Sequence, residues 1–173
     1  MWEKLKDRRA AWLVVGLCGG LLIRGAWPET PAWAVATDSD ESCAIATGPL
    51  DDSFEGFYFL DFASGELRGT ALSPVTRKFF ATFSANVAHD LGVDARRNPK
   101  YLLATGNAQF RPGGGPVQPA SGIVYVFELT SGKVAAYAVP WSLAQTNTSV
   151  PLHNAAMKLL SVMQMRTPLP QEE

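Results

Sequence analysis

Two carboxylates, Asp61 and Glu128, stand at matching places in two similar segments, each three residues before a Ser-Gly pair (Ser64-Gly65 and Ser131-Gly132). Paired carboxylates cleave glycosides when a cleft holds them several ångströms apart. Spacing along the chain sets no such separation, so solvent-facing or turn-bonding roles are the expectation for both. His89 and His153 are the only histidines, and with Asp90 or Asp94 they are the candidate donors for a zinc ion. His89 and Asp90 are neighbours, which a strand would send to opposite faces, and the spacing to His153 specifies no ligand set. None of the serines from Ser64 to Ser161 sits in the Gly-x-Ser-x-Gly setting of an exposed nucleophile. Gly113 to Gly115 are bracketed by Pro112 and Pro116 with no lysine following, so they are no phosphate loop, and Gly16, Gly19 and Gly20 lie inside an apolar leader. No catalytic, cofactor-binding or metal-ligating residue is assigned, and no cofactor is implied.

The elements that position these residues read as β hairpins. Gly56 to Ser73 (GFYFLDFASGELRGTALS) matches Ile123 to Pro140 (IVYVFELTSGKVAAYAVP) at an offset of 67 residues. Each is a β-rich run, a glycine turn and a second apolar run, the pattern of an antiparallel hairpin. Gly65 and Gly132 are expected to take the positive backbone angle at the two turns. Upstream, AIATG (Ala44 to Gly48) parallels LLATG (Leu102 to Gly106); downstream, KFFATF (Lys78 to Phe83) parallels KLLSVM (Lys158 to Met163) at an offset of 80. The fold class expected is mainly β: two tandem antiparallel units of about four strands, near residues 43–90 and 98–166, forming one compact sandwich-like domain behind an N-terminal apolar helix. Isolated hairpins cannot bury their apolar faces, whereas adjacent units share a core.

Connectors are legible too. Asn86 is placed to cap a short helical turn that Gly92 stops. Asn107 to Ser121 is a Pro/Gly-rich loop, and Gln145 to Asn154 a polar loop carrying the sequon Asn147-Thr148-Ser149. The repeat makes residues 158–166 a strand with a short helical approach, while propensity alone allows a helix throughout Leu152 to Arg166. Tyr58, Phe59, Tyr125, Phe127, Tyr137 and Trp141 suggest a stacking surface, but strand alternation sends about half of them to the core.

The first 34 residues differ from the rest. Lys4, Lys6, Arg8 and Arg9 precede the apolar run Ala10 to Ile23, the order of an export signal or a short anchor. That run is shorter than the roughly 20 residues that span a bilayer comfortably, which favours cleavage after Ala32-Trp33-Ala34 over retention. Cys18 invites a lipid-attachment reading, which Leu17 weakens. The domain plan is residues 1–34 signal peptide or membrane anchor, 35–42 linker, 43–166 duplicated β domain and 167–173 flexible tail. Cleavage leaves 139 residues, Lys and Arg numbering 10 against 13 Asp and Glu, with Cys43 as the only cysteine, expected to be buried. The whole chain of 173 residues has a net charge of −1, against a protein that coats nucleic acid, and the aromatics lack an interleaved basic track.

The stretches GFYFLDFASGELRGTAL, TRKFFATFSANVAHDLGVDARRNPKYLLATG and YVFELTSGKVAAYAVPW resemble a group of small exported proteins of planctomycete-type bacteria, and the hairpins resemble pieces of β-propeller blades. The resemblance carries over no activity and no catalytic residue. The function expected is a non-enzymatic cell-envelope or secreted interaction protein, periplasmic or secreted after export, or membrane-anchored with its β domain outside the cytoplasm. Its partner is another protein or a second copy; nucleic acid is not a partner, and a membrane is one only through an uncleaved N-terminal segment. The alternative is an exported hydrolase acting on carbohydrate through acidic residues.

Overall fold

The structure, a computed structural model, describes residues 12–17, 36–108, 110, 118–141 and 152–167. It divides into two units, Met1–Ala32 and Trp33–Glu173. In the first, residues 12–17 form a helical segment, α1. Among the described residues no helix is long and apolar enough to cross a membrane. The expected cleavage site, Cys18, the run Gly113 to Gly115 and the sequon lie outside the described residues, as does most of the expected tail.

The second unit is mainly β, with ten strands in two sheets among the described residues. They are β1 Thr37–Ser39, β2 Cys43–Pro49, β3 Glu55–Asp61, β4 Glu66–Leu72, β5 Phe79–Asn86, β6 Tyr101–Asn107, β7 Gln118–Glu128, β8 Lys133–Trp141, β9 Leu152–Ala156 and β10 Lys158–Gln164. One sheet has six strands in the order β1-β2-β3-β4-β5-β9; the other has four, β10-β8-β7-β6. The expectation of two four-strand units is therefore met only coarsely. Residues assigned to a linker supply β1, which pairs with β2, and β9 crosses over to lie parallel to β5. The sheets are open and neither closes nor curls, so the propeller resemblance, and with it the likeness to exported planctomycete-type proteins built on such hairpins, is overturned. Leu152 to Gln164 is strand, apart from Met157 between β9 and β10, and the helical alternative fails there.

Both Ser-Gly reversals are hairpin turns. Gly65 and Gly132 have φ of 66° and 72°, and each donates its backbone N–H to the carbonyl of the carboxylate residue before it, Asp61 at 2.8 Å and Glu128 at 3.0 Å. The registers agree as well. Asp61 faces Glu66 and Leu60 faces Leu67; Phe127 faces Val134 in the same relation. Gly48 pairs with Gly56 in β2–β3 and Gly106 with Ile123 in β6–β7, as the 67-residue match requires. Downstream, Asn86 faces Glu66 and Gln164 faces Lys133, so these strands correspond at an offset of 78, two residues from the 80 read in the sequence. The bulges in the β5 and β10 pairings shift this correspondence by only one residue, so Lys78 and Lys158 are not structural counterparts.

One hydrophobic cluster draws on both sheets. Tyr58, Leu60, Leu67 and Phe83 come from the first, and Tyr101, Val126, Tyr137 and Trp141 from the second. The sheets approach most closely where β2 lies against β6. Ala44, Ala46 and Gly48 present almost no side chain there, and a Cβ on Gly48 would come within 2.8 Å of Thr105. Further from β2 the gap is filled by rings: Trp141 sits 5.4 Å from Phe54 and 6.3 Å from Phe83, centroid to centroid. Its indole N–H donates to Asp51 Oδ2 at 2.7 Å, satisfying the one polar atom of a buried ring.

Candidate functional site

Asp61 and Glu128 do the same local work in different surroundings. Asp61 accepts from the Ala63 backbone N–H at 3.1 Å and the Ser64 hydroxyl at 2.8 Å, in a half-exposed turn. Glu128 accepts from the backbone N–H groups of Thr130 at 2.9 Å and Ser131 at 2.5 Å and is completely buried. Burial pushes its carboxyl upward, but the hydrogen bonds from Ser131 and Thr130 outweigh this and hold it below the ordinary value. Both carboxylates commit their oxygens to turns, and the turns belong to different sheets.

His89 stands on the helical turn expected between Asn86 and Gly92. Asn86 caps α2 (Val87–Leu91) by accepting from the His89 backbone N–H, and Gly92 ends it at φ 68°. His89 and Asp90 are thus on a helix rather than a strand, with Nδ1 of the ring 3.3 Å from Asp90 Oδ1. Asp90 also accepts from the buried Tyr137 hydroxyl at 3.0 Å. Asp94 caps a 3-10 turn, Ala95–Arg97, and His153 is exposed on β9. No group of three or more His, Cys, Asp or Glu able to hold a metal occurs among the described residues. Cys43, expected to be buried, is half-buried and free.

The six aromatics divide evenly. Tyr58, Tyr137 and Trp141 are in the core; Phe59, Tyr125 and Phe127 point outward, but from the outer faces of different sheets. They form two surfaces.

The first-sheet surface crosses β2 to β5 in two rows, Ile45–Phe59–Arg68–Ser84 and Thr47–Phe57–Thr70–Thr82. Its β2–β3 half is apolar and its β4–β5 half polar, where Arg68 pairs with Glu66 at 2.7 Å. A shallow groove of about 510 Å³ runs between them, bounded by Phe57, Phe59, Arg68, Thr82 and Asn154. The second-sheet surface has the rows Leu102–Phe127–Val134–Met163 and Ala104–Tyr125–Ala136–Ser161, and neither row holds a charge. At its end the Arg166 guanidinium lies 5.6 Å over the Phe127 ring. Sequence reasoning found the aromatics of this surface and missed Leu102, Val134 and Met163, which alternate outward beside them.

The two surfaces stand in an unexpected relation. Along the centres of the matched strands, positions that face the core in one sheet face outward in the other, whereas Ala71 and its counterpart Ala138 are both buried. Tyr58 is 1% exposed and its counterpart Tyr125 38%; Phe59 is 36% exposed and its counterpart Val126 0%. The sheets turn their matching faces in the same direction rather than toward each other.

No family model, curated protein or solved structure matches the chain.

Proposed function

We propose that the protein is a non-enzymatic interaction module that works outside the cytoplasm, in the cell envelope or secreted, and binds protein through the outer faces of its sheets. We also read β2–β3–β4–β5 and β6–β7–β8–β10 as two copies of one duplicated unit packed in a sandwich-like domain. The observation that carries the functional reading is the exposure of large apolar side chains on both outer faces: Ile45, Phe57 and Phe59 on one, Leu102, Tyr125 and Met163 on the other. Monomeric proteins seldom leave contiguous apolar surface of this kind without a partner. Asp61 and Glu128 being tied into turns favours binding over hydrolysis. The basic residues before the apolar run Ala10 to Ile23 support export.

A photo-cross-linking residue at position 59 or 125, in the protein expressed at its native level, tests this. Specific protein adducts from both positions, and none from the polar position 82, are expected. Turnover of a glycan panel that disappears in Asp61→Asn and Glu128→Gln would contradict it.

A further inference from the structure

We infer that the partner of these faces is a second copy of the chain, stacked head to tail: the outer face of one copy's second sheet on the outer face of the next copy's first sheet. The inference rests on the interaction reading above and adds the partner's identity.

The chain's own core is the template. There, the core face of the first sheet (Ala44, Ala46, Tyr58, Leu60) packs on the core face of the second (Leu103, Val124, Val126, Tyr137). Because matching faces point the same way, the second sheet's outer face carries the counterparts of the first sheet's core residues: Leu102 and Ala104 for Ala44 and Ala46, Tyr125 and Phe127 for Tyr58 and Leu60. The first sheet's outer face likewise carries counterparts of the second sheet's core residues, with Ile45, Thr47 and Phe59 standing where Leu103, Thr105 and Val126 stand. The two free faces are therefore the two halves of an interface the molecule already makes once.

The chemistry of the two faces agrees with the same geometry. In the existing stack the sheets are closest at β2 and β6 and are wedged apart elsewhere by the rings of Phe54, Phe83 and Trp141. Repeating that wedge brings the apolar β2–β3 half of one copy onto the uncharged β6–β7 half of the next. Arg68, whose counterpart in the existing stack is the fully buried Ala135, enters the repeated contact beside its partner Glu66, so its charge is not buried unpaired. A contact of this kind joins unlike faces and leaves one of each free, so it extends to further copies and closes into a ring if the rotation per copy permits.

The test uses the full chain after its own processing and two face variants, Phe59→Glu and Tyr125→Glu, each leaving one face intact. Analytical ultracentrifugation is expected to find the unaltered protein larger than a monomer and each variant alone monomeric with unchanged circular dichroism. An equimolar mixture of the two variants is expected to give a particle of twice the monomer mass and nothing larger, because only one interface can form. An unaltered protein that stays monomeric at every concentration overturns the inference, as does an assembly that survives both substitutions, which would place the contact elsewhere, such as on the free edge of β10. With the inference overturned, adducts to another protein from positions 59 and 125 leave the interaction reading standing, and their absence removes it as well.

Discussion

Tyr58 and Tyr125 occupy the same place in two hairpins of the same register, yet one is sealed in the core and the other lies on the surface. The difference teaches that hairpin register and hairpin burial are set separately. Register follows from the turn, where glycine at positive φ and a carboxylate four residues back fix which residues oppose each other. Burial follows from which face the neighbouring sheet covers. Here one stacking direction serves both sheets, so each has an apolar face inward and exposes apolar side chains outward, over half of the first sheet and most of the second.

The largest effect expected from breaking this comparison comes at the turns. Glu128→Ala leaves the Thr130 and Ser131 N–H groups without their buried acceptor and is expected to cost about 3 kcal/mol in urea unfolding. Asp61→Ala, at the matching but more exposed turn, is expected to cost about 1 kcal/mol, since water replaces the lost carboxylate. Equal losses would mean the two turns are not differently buried.

Gly132→Ala comes next, at about 2 kcal/mol, because φ is 72° there and a Cβ would meet the Arg166 carbonyl oxygen at 2.5 Å. Gly65→Ala meets only the Ala88 methyl and backbone near it, at φ 66°, and is expected to be similar or milder. Thermal melts of the two variants order them.

The acid limb of stability sharpens the contrast further. Glu128 has a folded-state pKa below the ordinary 4.5, so its contribution is fully present above that value and is lost as pH falls through the lower folded value. Glu128→Gln is expected to flatten the unfolding free energy between pH 4.5 and the acid transition, with no change in slope near neutrality.

The smallest effects are at the tyrosines. Among the described residues the buried Tyr58 and Tyr101 hydroxyls have no hydrogen-bond partner; burial, with Glu128 nearby, pushes Tyr101 up to about 12, and burial with Glu55 nearby raises Tyr58 still higher. Tyr58→Phe and Tyr101→Phe are therefore expected to be neutral or to stabilise by up to about 1 kcal/mol. Tyr137→Phe loses the bond to Asp90 and is expected to destabilise by about 1 kcal/mol in the same denaturation assay.

Much of the local structure was legible because its determinants are local. The glycine turns, the AIATG and LLATG strands, the Asn86 cap and the Gly92 stop all follow from residues within a few positions of one another. What escaped depended on distant partners. β1 and β9 are strands only because β2 and β5 offer them edges, and KFFATF and KLLSVM resemble each other out of step with the pairing that sets their true correspondence. Period-two alternation showed that half the aromatics face the core, but which half depends on the other sheet. Glu128 and Asp61 look alike in sequence for the same reason, and only the cover over the second hairpin makes one of them a buried anchor. The candidate surface was half visible: its aromatics stood out, while the aliphatic residues that complete it carried no signal of their own.

One reciprocal set of substitutions tests the inverted faces most directly. Aspartate at Tyr58 or Val126 is expected to abolish cooperative unfolding, and aspartate at Tyr125 or Phe59 to leave the urea midpoint within reach of the unaltered protein. If the two members of each matched pair, 58 with 125 and 59 with 126, respond alike, the sheets do not present opposite faces to the core and the account fails.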